Sequence, residues 1–234
     1  MWKSFSLAAG IVSTAALPFY GGCEGVDNVP AGGCVVAANH SSFLDGPLLA
    51  LAYAREKLRP LHMIAYAEPF SNWLTGWFLR SSGCVPFVRG DAGSQYAMLE
   101  TALGWLAAGE AVGIFPEGHI NPRPGLNRPR RGAALLALES GKPAVPCAVV
   151  GSGNALPLGA RVPRPFRRAR IRFGPPVRFF DKELAYRDSP ADERKRMIEN
   201  LSVRIMTAIA LLAGRGFDPR RFFRRPGRRR ATLS

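Results

Sequence analysis

His40 and Asp45 stand five residues apart in the stretch NHSSFLDG, residues 39–46, with Ser41 and Ser42 between them. A histidine oriented by a carboxylate can take a proton from a hydroxyl, so the stretch raises base catalysis at once. If the hydroxyl belonged to Ser41 or Ser42, the protein would be a serine hydrolase. On a continuous helix, positions i and i+5 lie about 140° apart. The pair can therefore meet only if His40 occupies a turn and a helix begins near Ser42, where the helix dipole favours Asp45. Ser41 is adjacent to His40, and neighbouring side chains on such a segment do not face each other. Ser42 reads as a helix cap. No GxSxG elbow exists, since GSGN at 151–154 is not one. By itself the His-x4-Asp spacing is weak evidence, and a satisfied structural histidine is the competing reading.

Three further stretches put chemistry-bearing residues at the ends of apolar runs. GCVPFVRG (83–90) carries Arg89 at its tip, FPEGHINP (115–122) places Glu117 and Gly118 after a run, and AVPCAVVG (144–151) sets Pro146 within one. In a parallel α/β sheet, residues at successive strand ends converge on one crevice. Arg89 has the fork geometry that matches a phosphate there. A solvated arginine at a strand tip is the alternative.

In this order and at these separations, the four stretches resemble the glycerolipid acyltransferase family typified by 1-acyl-glycerol-3-phosphate acyltransferases. The family's NHxxxxD block matches Asn39, His40 and Asp45; its second block, a glycine, an apolar strand and a terminal Arg, matches 83–89. Its FPEG block matches 115–118, and its VP strand matches Val145 and Pro146. The lead-in EGVDNVPAGG is also similar, with Asp27 where Glu is usual, and the likeness covers roughly residues 23–180.

The resemblance implies a membrane-face α/β acyltransferase. His40 deprotonates an acceptor hydroxyl that attacks acyl-CoA or an acyl carrier protein directly, without an acyl-enzyme and without a cofactor. Arg89 would hold the acceptor phosphate, and Glu117 with Gly118 would shape its glycerol site. One departure matters. Where the family continues Thr-Arg-Ser after FPEG, this chain has His119, Ile120 and Asn121. Arg128, Arg130 or Arg131 is then expected to replace the missing arginine, Arg130 first. Alternatively the acceptor is another lysolipid or hydroxylated lipid, or the protein is an inactive lipid binder of the same fold. His119 contacts the acceptor or caps the turn.

The elements that must position these residues alternate. Apolar runs at 33–39, 62–67, 84–89, 111–115 and 144–151 read as strands, with helical patterns at 46–58, 69–83, 94–110 and 130–141 between or after them. The fold expected is α/β: one domain with a mostly parallel central sheet flanked by helices, plus an apolar N-terminal helix. A last long helix is expected after Ser189 as cap, with Pro190 at its first position. Its stripe of Ile198, Leu201, Ile205, Ile209 and Leu212 should pack on the core.

Composition bounds the rest. The 234 residues, 47% hydrophobic, suffice for one domain with a full core. Cys23, Cys34, Cys84 and Cys147 show no CxxC pairing and sit among apolar neighbours, which reads as reduced, buried thiols. With only three histidines, no metal site is expected. The net charge of +15 is concentrated: 161–178 holds seven arginines and no acid, and 215–234 holds eight arginines and one Asp. Such blocks suit an anionic membrane surface. Nucleic acid is not expected, because no aromatic-interleaved basic motif accompanies them. The boundaries expected are an apolar membrane-associating segment 1–22, an acyltransferase domain 23–213 and an Arg-rich tail 214–234. Residues 5–20 as a helix would span about 24 Å, short of a hydrocarbon core of about 30 Å. They read as an interfacial anchor, with a core-packed helix or a signal peptide as alternatives. The protein is therefore placed at the cytoplasmic face of a membrane.

Overall fold

The run CVVAA has no polar side to offer water, and a strand of that kind belongs inside a sheet covered on both faces. In the computed structural model, which describes residues 16–71, 73, 76, 79, 84–177 and 186–219, it forms β2 (Cys34–Ala38), every residue of it buried. β2 lies at the centre of seven strands ordered β1-β7-β6-β2-β5-β3-β4. The others are β1 (Tyr20–Glu24), β3 (Leu61–Tyr66), β4 (Val85–Phe87), β5 (Ala111–Ile114), β6 (Ala144–Val150) and β7 (Ala169–Phe173). All pairings are parallel except β6 with β7.

Strand side chains alternate between faces, and each set meets its own helices. Cys34, Val36 and Ala38 pack with Leu48, Leu49 and Ala52 of α1 (Asp45–Arg55). Val35 and Ala37 meet α2 (Ala92–Ala107), α3 (Gly132–Ser140) and the long α5 (Ala191–Ala213) through Leu106, Leu136 and Leu201. Between α3 and α5, the single turn α4 (Ser152–Ala155) follows β6. The stripe of α5 does face the core: Leu201, Ile205 and Ile209 are fully or nearly fully buried, each contributing about 2 kcal/mol by burial. The mostly parallel sheet and its flanking helices are thus as the sequence patterns predict.

Several boundaries differ. α5 starts one residue later than expected, with Pro190 at the cap position and no side-chain cap from Ser189. Of the expected helix 69–83, the described residues show a 3-10 turn at Glu68–Ser71 and helical backbone at 73, 76 and 79, and the remainder lies outside them. Residues 1–15 of the expected apolar helix and 220–234 of the Arg-rich tail also lie outside them. The boundary expected at residue 22 falls inside β1. Two of the clustered arginines belong to β7, where Ala169, Ile171 and Phe173 point inward while Arg170 and Arg172 reach Glu24 of β1 at 3.2 and 3.1 Å. Alternation of this kind marks a strand with one face on the core and the other toward water. Among the described residues no helix is long and apolar enough to cross a membrane. The four cysteines are unpaired, and burial pushes the Cys34 thiol up to about 11.

Candidate active site

The turn from β2 into α1 carries the first candidate residues. Asn39, 1% exposed, extends the β2–β6 pairing through its side chain. Its Oδ1 accepts the Val149 N–H at 2.8 Å and its Nδ2 donates to the Val149 carbonyl at 3.1 Å. This fixes the direction in which the chain leaves the sheet. Asp45 then opens α1, fully buried, and its Oδ2 reaches back to accept three donors. These are His40 Nδ1 at 2.9 Å, Ser41 N at 2.6 Å and Ser42 N at 2.9 Å. A carboxylate at a helix start is favourably placed by the helix dipole, and backbone donors hold it where His40 needs it.

That bond assigns the proton. With Nδ1 donating to Asp45, Nε2 is the basic nitrogen, and among the described residues Nε2 carries no hydrogen bond. The ring stacks on Phe115, centroids 3.9 Å apart and 7° from parallel, and keeps 18% of its side chain exposed. Neither serine joins it. Ser42 is buried and donates to the Leu156 carbonyl at 2.8 Å. Ser41 Oγ accepts from Asn39 at 3.1 Å and from Arg215 at 2.9 Å. Ser42 is not the helix cap either: Leu44 holds that position without a side-chain bond, and the Ser42 hydroxyl accepts only the Leu44 N–H at 3.2 Å.

The FPEG turn sits beside this pair. Glu117, 1% exposed, spends its carboxylate on internal donors. Oε1 accepts the His40 N–H at 3.2 Å, while Oε2 accepts Asn121 Nδ2 at 2.6 Å and Asn127 N at 2.9 Å. A carboxylate so engaged positions the turn. Gly118 follows with φ +69, a left-handed conformation that suits glycine. An added Cβ would lie 3.0 Å from Arg130 Nε and 3.1 Å from the Tyr66 hydroxyl. Arg89 donates to the Gly118 carbonyl at 3.3 Å and to the Tyr66 hydroxyl, its guanidinium 4.7 Å from the Tyr66 ring centroid. Arg89, Arg130 and Tyr66 therefore gather around Gly118, and the exposed arginine heads can take an anion.

His119 is exposed and accepts from Asn127 Nδ2 at 3.0 Å, a bond within the loop. Arg128 and Arg131 are exposed too, and Arg131 is directed to Glu199. Of the three candidate replacements, Arg130 is thus the one packed beside Gly118.

Residues 22–150, more than half of the chain, match the family model for acyltransferases. The chain belongs to the acyltransferase family. Within that family it is 32% identical over 164 residues to a chloroplastic 1-acyl-sn-glycerol-3-phosphate acyltransferase of Brassica napus, covering 68% of this chain and 43% of the plant protein. It is 30% identical over 184 residues to the 1-acyl-sn-glycerol-3-phosphate acyltransferase of Bacillus subtilis, covering 76% of this chain and 83% of that one. The chain spans less than half the length of the plant relative. The crystal structure of the 1-acyl-sn-glycerophosphate acyltransferase PlsC from Thermotoga maritima aligns with a TM-score of 0.64 at 21% identity. That alignment covers 92% of this chain and 81% of that one, and the likeness is one of fold.

In this family member the sequence motifs leave out the residues that tie the site together. Asn121 is 1% exposed, donates its N–H to the His40 carbonyl at 2.7 Å and holds Glu117. Tyr66 and Arg215 are likewise absent from the motif set. An Asn followed by Pro122 signals a turn that uses its own side chain, and Asn121 Oδ1 does accept the Arg123 N–H at 3.1 Å. Nothing local marks Tyr66 or Arg215, which reach the site from distant segments.

Proposed function

We propose that the protein is an O-acyltransferase that moves a fatty acyl group from a thioester, acyl-CoA or an acyl carrier protein, to the hydroxyl of a lysophospholipid. The acceptor we infer first is 1-acyl-glycerol-3-phosphate, in keeping with the names of its relatives. One observation carries the reading: His40 Nδ1 is held at 2.9 Å by the buried Asp45, while Ser41 and Ser42 are turned to other partners. The hydroxyl to be activated then belongs to the substrate.

In this mechanism Nε2 of His40 takes the acceptor proton as the oxygen attacks the thioester carbonyl, and Asp45 stabilises the imidazolium that forms. Collapse of the tetrahedral intermediate breaks the C–S bond, and the departing thiolate recovers the proton from His40. The new ester remains on the acceptor, and no acyl group passes through the protein. Arg89 and Arg130 bind the acceptor phosphate beside Gly118, with His119 at the rim. The reaction takes place at the cytoplasmic face of a membrane.

The test offers labelled acyl-CoA and acyl carrier protein with a panel of lysolipids to wild type and His40→Ala. Transfer to a lysolipid that disappears in His40→Ala is expected. If neither donor gives His40-dependent acylation of any acceptor, the proposal falls and a lipid-binding role replaces it. A thiol burst without acceptor would instead indicate an acyl-enzyme.

A further inference from the structure

Large apolar side chains left in water are common singly, and carry meaning when gathered in one place. Here they gather at the edge of the sheet that holds His40. β2, β4 and β6 belong to the parallel set, so their carboxyl ends share that edge. Phe43 and Val88, 64% and 47% exposed, follow β2 and β4. Between β6 and β7 the chain makes a longer excursion at the same edge, because β7 runs antiparallel and Val150 pairs with Arg170. That loop exposes Leu158, Val162 and Phe166, the last at 98%.

The loop is built to stand out. Its base is fastened beside the catalytic turn: Ser42 Oγ donates to the Leu156 carbonyl at 2.8 Å and Arg164 N to the Ala155 carbonyl at 2.7 Å. Pro163 and Pro165 flank Arg164 and restrict the backbone φ there, just before the turn at 165–166. Phe166 has φ +61, a left-handed backbone that a bulky residue rarely adopts. A phenyl ring held there in full contact with water gains nothing from the fold, and observed strain of that kind points to function. Arg161, Arg164, Arg167 and Arg168 are interleaved with the apolar side chains, and residues 156–168 contain no acid.

The geometry points to loop 156–168 as an interfacial docking element that inserts Leu158, Val162 and Phe166 into an anionic bilayer next to the acceptor site. The arginines sit at the lipid phosphates while the apolar tips enter the acyl boundary, the pattern of interfacial membrane binding. Nucleic acid would engage the arginines but leave Leu158 and Val162 in water. An acidic protein partner would likewise leave the protruding ring uncovered unless it offered a groove. The proposal rests on the reading that the acceptor is a membrane lipid, and it places that lipid's entry beside His40.

The test measures partition of the full chain onto phosphatidylcholine vesicles containing phosphatidylglycerol, and onto pure phosphatidylcholine. The triple variant Leu158→Ser, Val162→Ser, Phe166→Ser should bind the mixed vesicles about tenfold more weakly. Gln at the four arginines should remove the preference for anionic vesicles. In Phe166→Trp, the added fluorescence should be quenched by brominated lipids, which reads insertion of this loop whatever else in the chain binds. Activity on a short-chain lysolipid dissolved as monomers should stay at the wild-type level in all these variants. Unchanged partition of the triple variant, or no added quenching, overturns the proposal. So does a parallel loss of activity on the monomeric acceptor, which would make the loop part of the catalytic fold. Arginine variants that lose only carrier-protein-dependent activity would assign the charges to an acidic protein instead. If the wild type acylates no lysolipid, the enzymatic reading fails, while partition and quenching still decide the loop.

Discussion

Glu117 accepts the backbone N–H of His40 at 3.2 Å, joining two motifs that lie 77 residues apart in the chain. The residue after it offers its carbonyl to Arg89 at 3.3 Å. One dipeptide therefore couples His40 to the arginine cluster. Because the Glu117 carboxylate is buried with three donors, its removal leaves those donors without an acceptor, at about 1–3 kcal/mol each. Glu117→Ala should lower both the melting temperature and kcat. Glu117→Gln should recover only part, since its amide NH2 would face a donor. Thermal unfolding with steady-state kinetics checks this. A Glu117→Ala protein of unchanged stability, altered only in acceptor KM, would make Glu117 a substrate contact.

Asp45 separates orientation from charge. Its Oδ2 accepts all three bonds, and Oδ1 is buried without a hydrogen-bond partner among the described residues. Asp45→Asn can present its oxygen to the same donors, so the turn should hold. What goes is the negative charge that stabilises the imidazolium. A fall in kcat of about 10³-fold is expected, with acceptor KM and melting temperature close to wild type. An Asp45→Asn enzyme with full kcat would remove the carboxylate from the mechanism.

Much of this arrangement is legible in the amino-acid sequence. Long apolar runs such as CVVAA read as buried strands because nothing in them tolerates water, and the α5 stripe reads as core for the same reason. Helix geometry set the condition for a His40–Asp45 contact, a turn at His40 before the helix that Asp45 opens, and that is where the pair meets. β7 was hidden because its alternation of Ala169, Ile171 and Phe173 with arginines looks like a charge cluster when read as composition. β1 was hidden inside an apolar stretch that pattern alone assigns to an anchor. The motif gives Glu117 as a residue type without the direction of its side chain. The partners that fix that direction, the buried Asn121 side chain and the backbone N–H of the half-buried Asn127, are polar groups that no periodicity announces.

The arginine pair around Gly118 predicts a dependence on acceptor chemistry. Arg89→Ala and Arg130→Ala should each raise KM about tenfold for a phosphate-bearing lysolipid, the loss of one charge-assisted contact. Neither should affect an acceptor without an anionic head. Gly118→Ala should impair the same acceptors, because its Cβ meets Arg130 and the Tyr66 hydroxyl at 3.0 and 3.1 Å in a left-handed backbone. Acceptor-panel kinetics separate these outcomes. Equal losses on anionic and neutral acceptors would show that the arginines act through the fold alone.

Arg215 makes the last prediction, because it separates one arginine from the basic tail it was grouped with. Gly214, with φ +62, ends α5 and turns the chain back toward the active-site loop. The Arg215 guanidinium then donates to Ser41 Oγ at 2.9 Å, to the Pro124 carbonyl at 3.0 Å and to the Gly125 carbonyl at 3.1 Å, and also to the Arg123 carbonyl. The Gly216 carbonyl takes the Leu126 N–H at 2.8 Å beside it. A planar fork can bridge the turn after His40 and the loop after FPEG at once, which the point charge of lysine cannot. Arg215→Lys should therefore cost about 1–2 kcal/mol, or ~5 °C in melting temperature. kcat should fall with it, as the loop holding Asn121 and Glu117 loosens around His40. Deleting residues 220–234 should leave kcat on a monomeric acceptor unchanged. If Arg215→Lys keeps wild-type kcat and melting temperature while the deletion lowers kcat, the loop is held by the tail and Arg215 is only its first arginine.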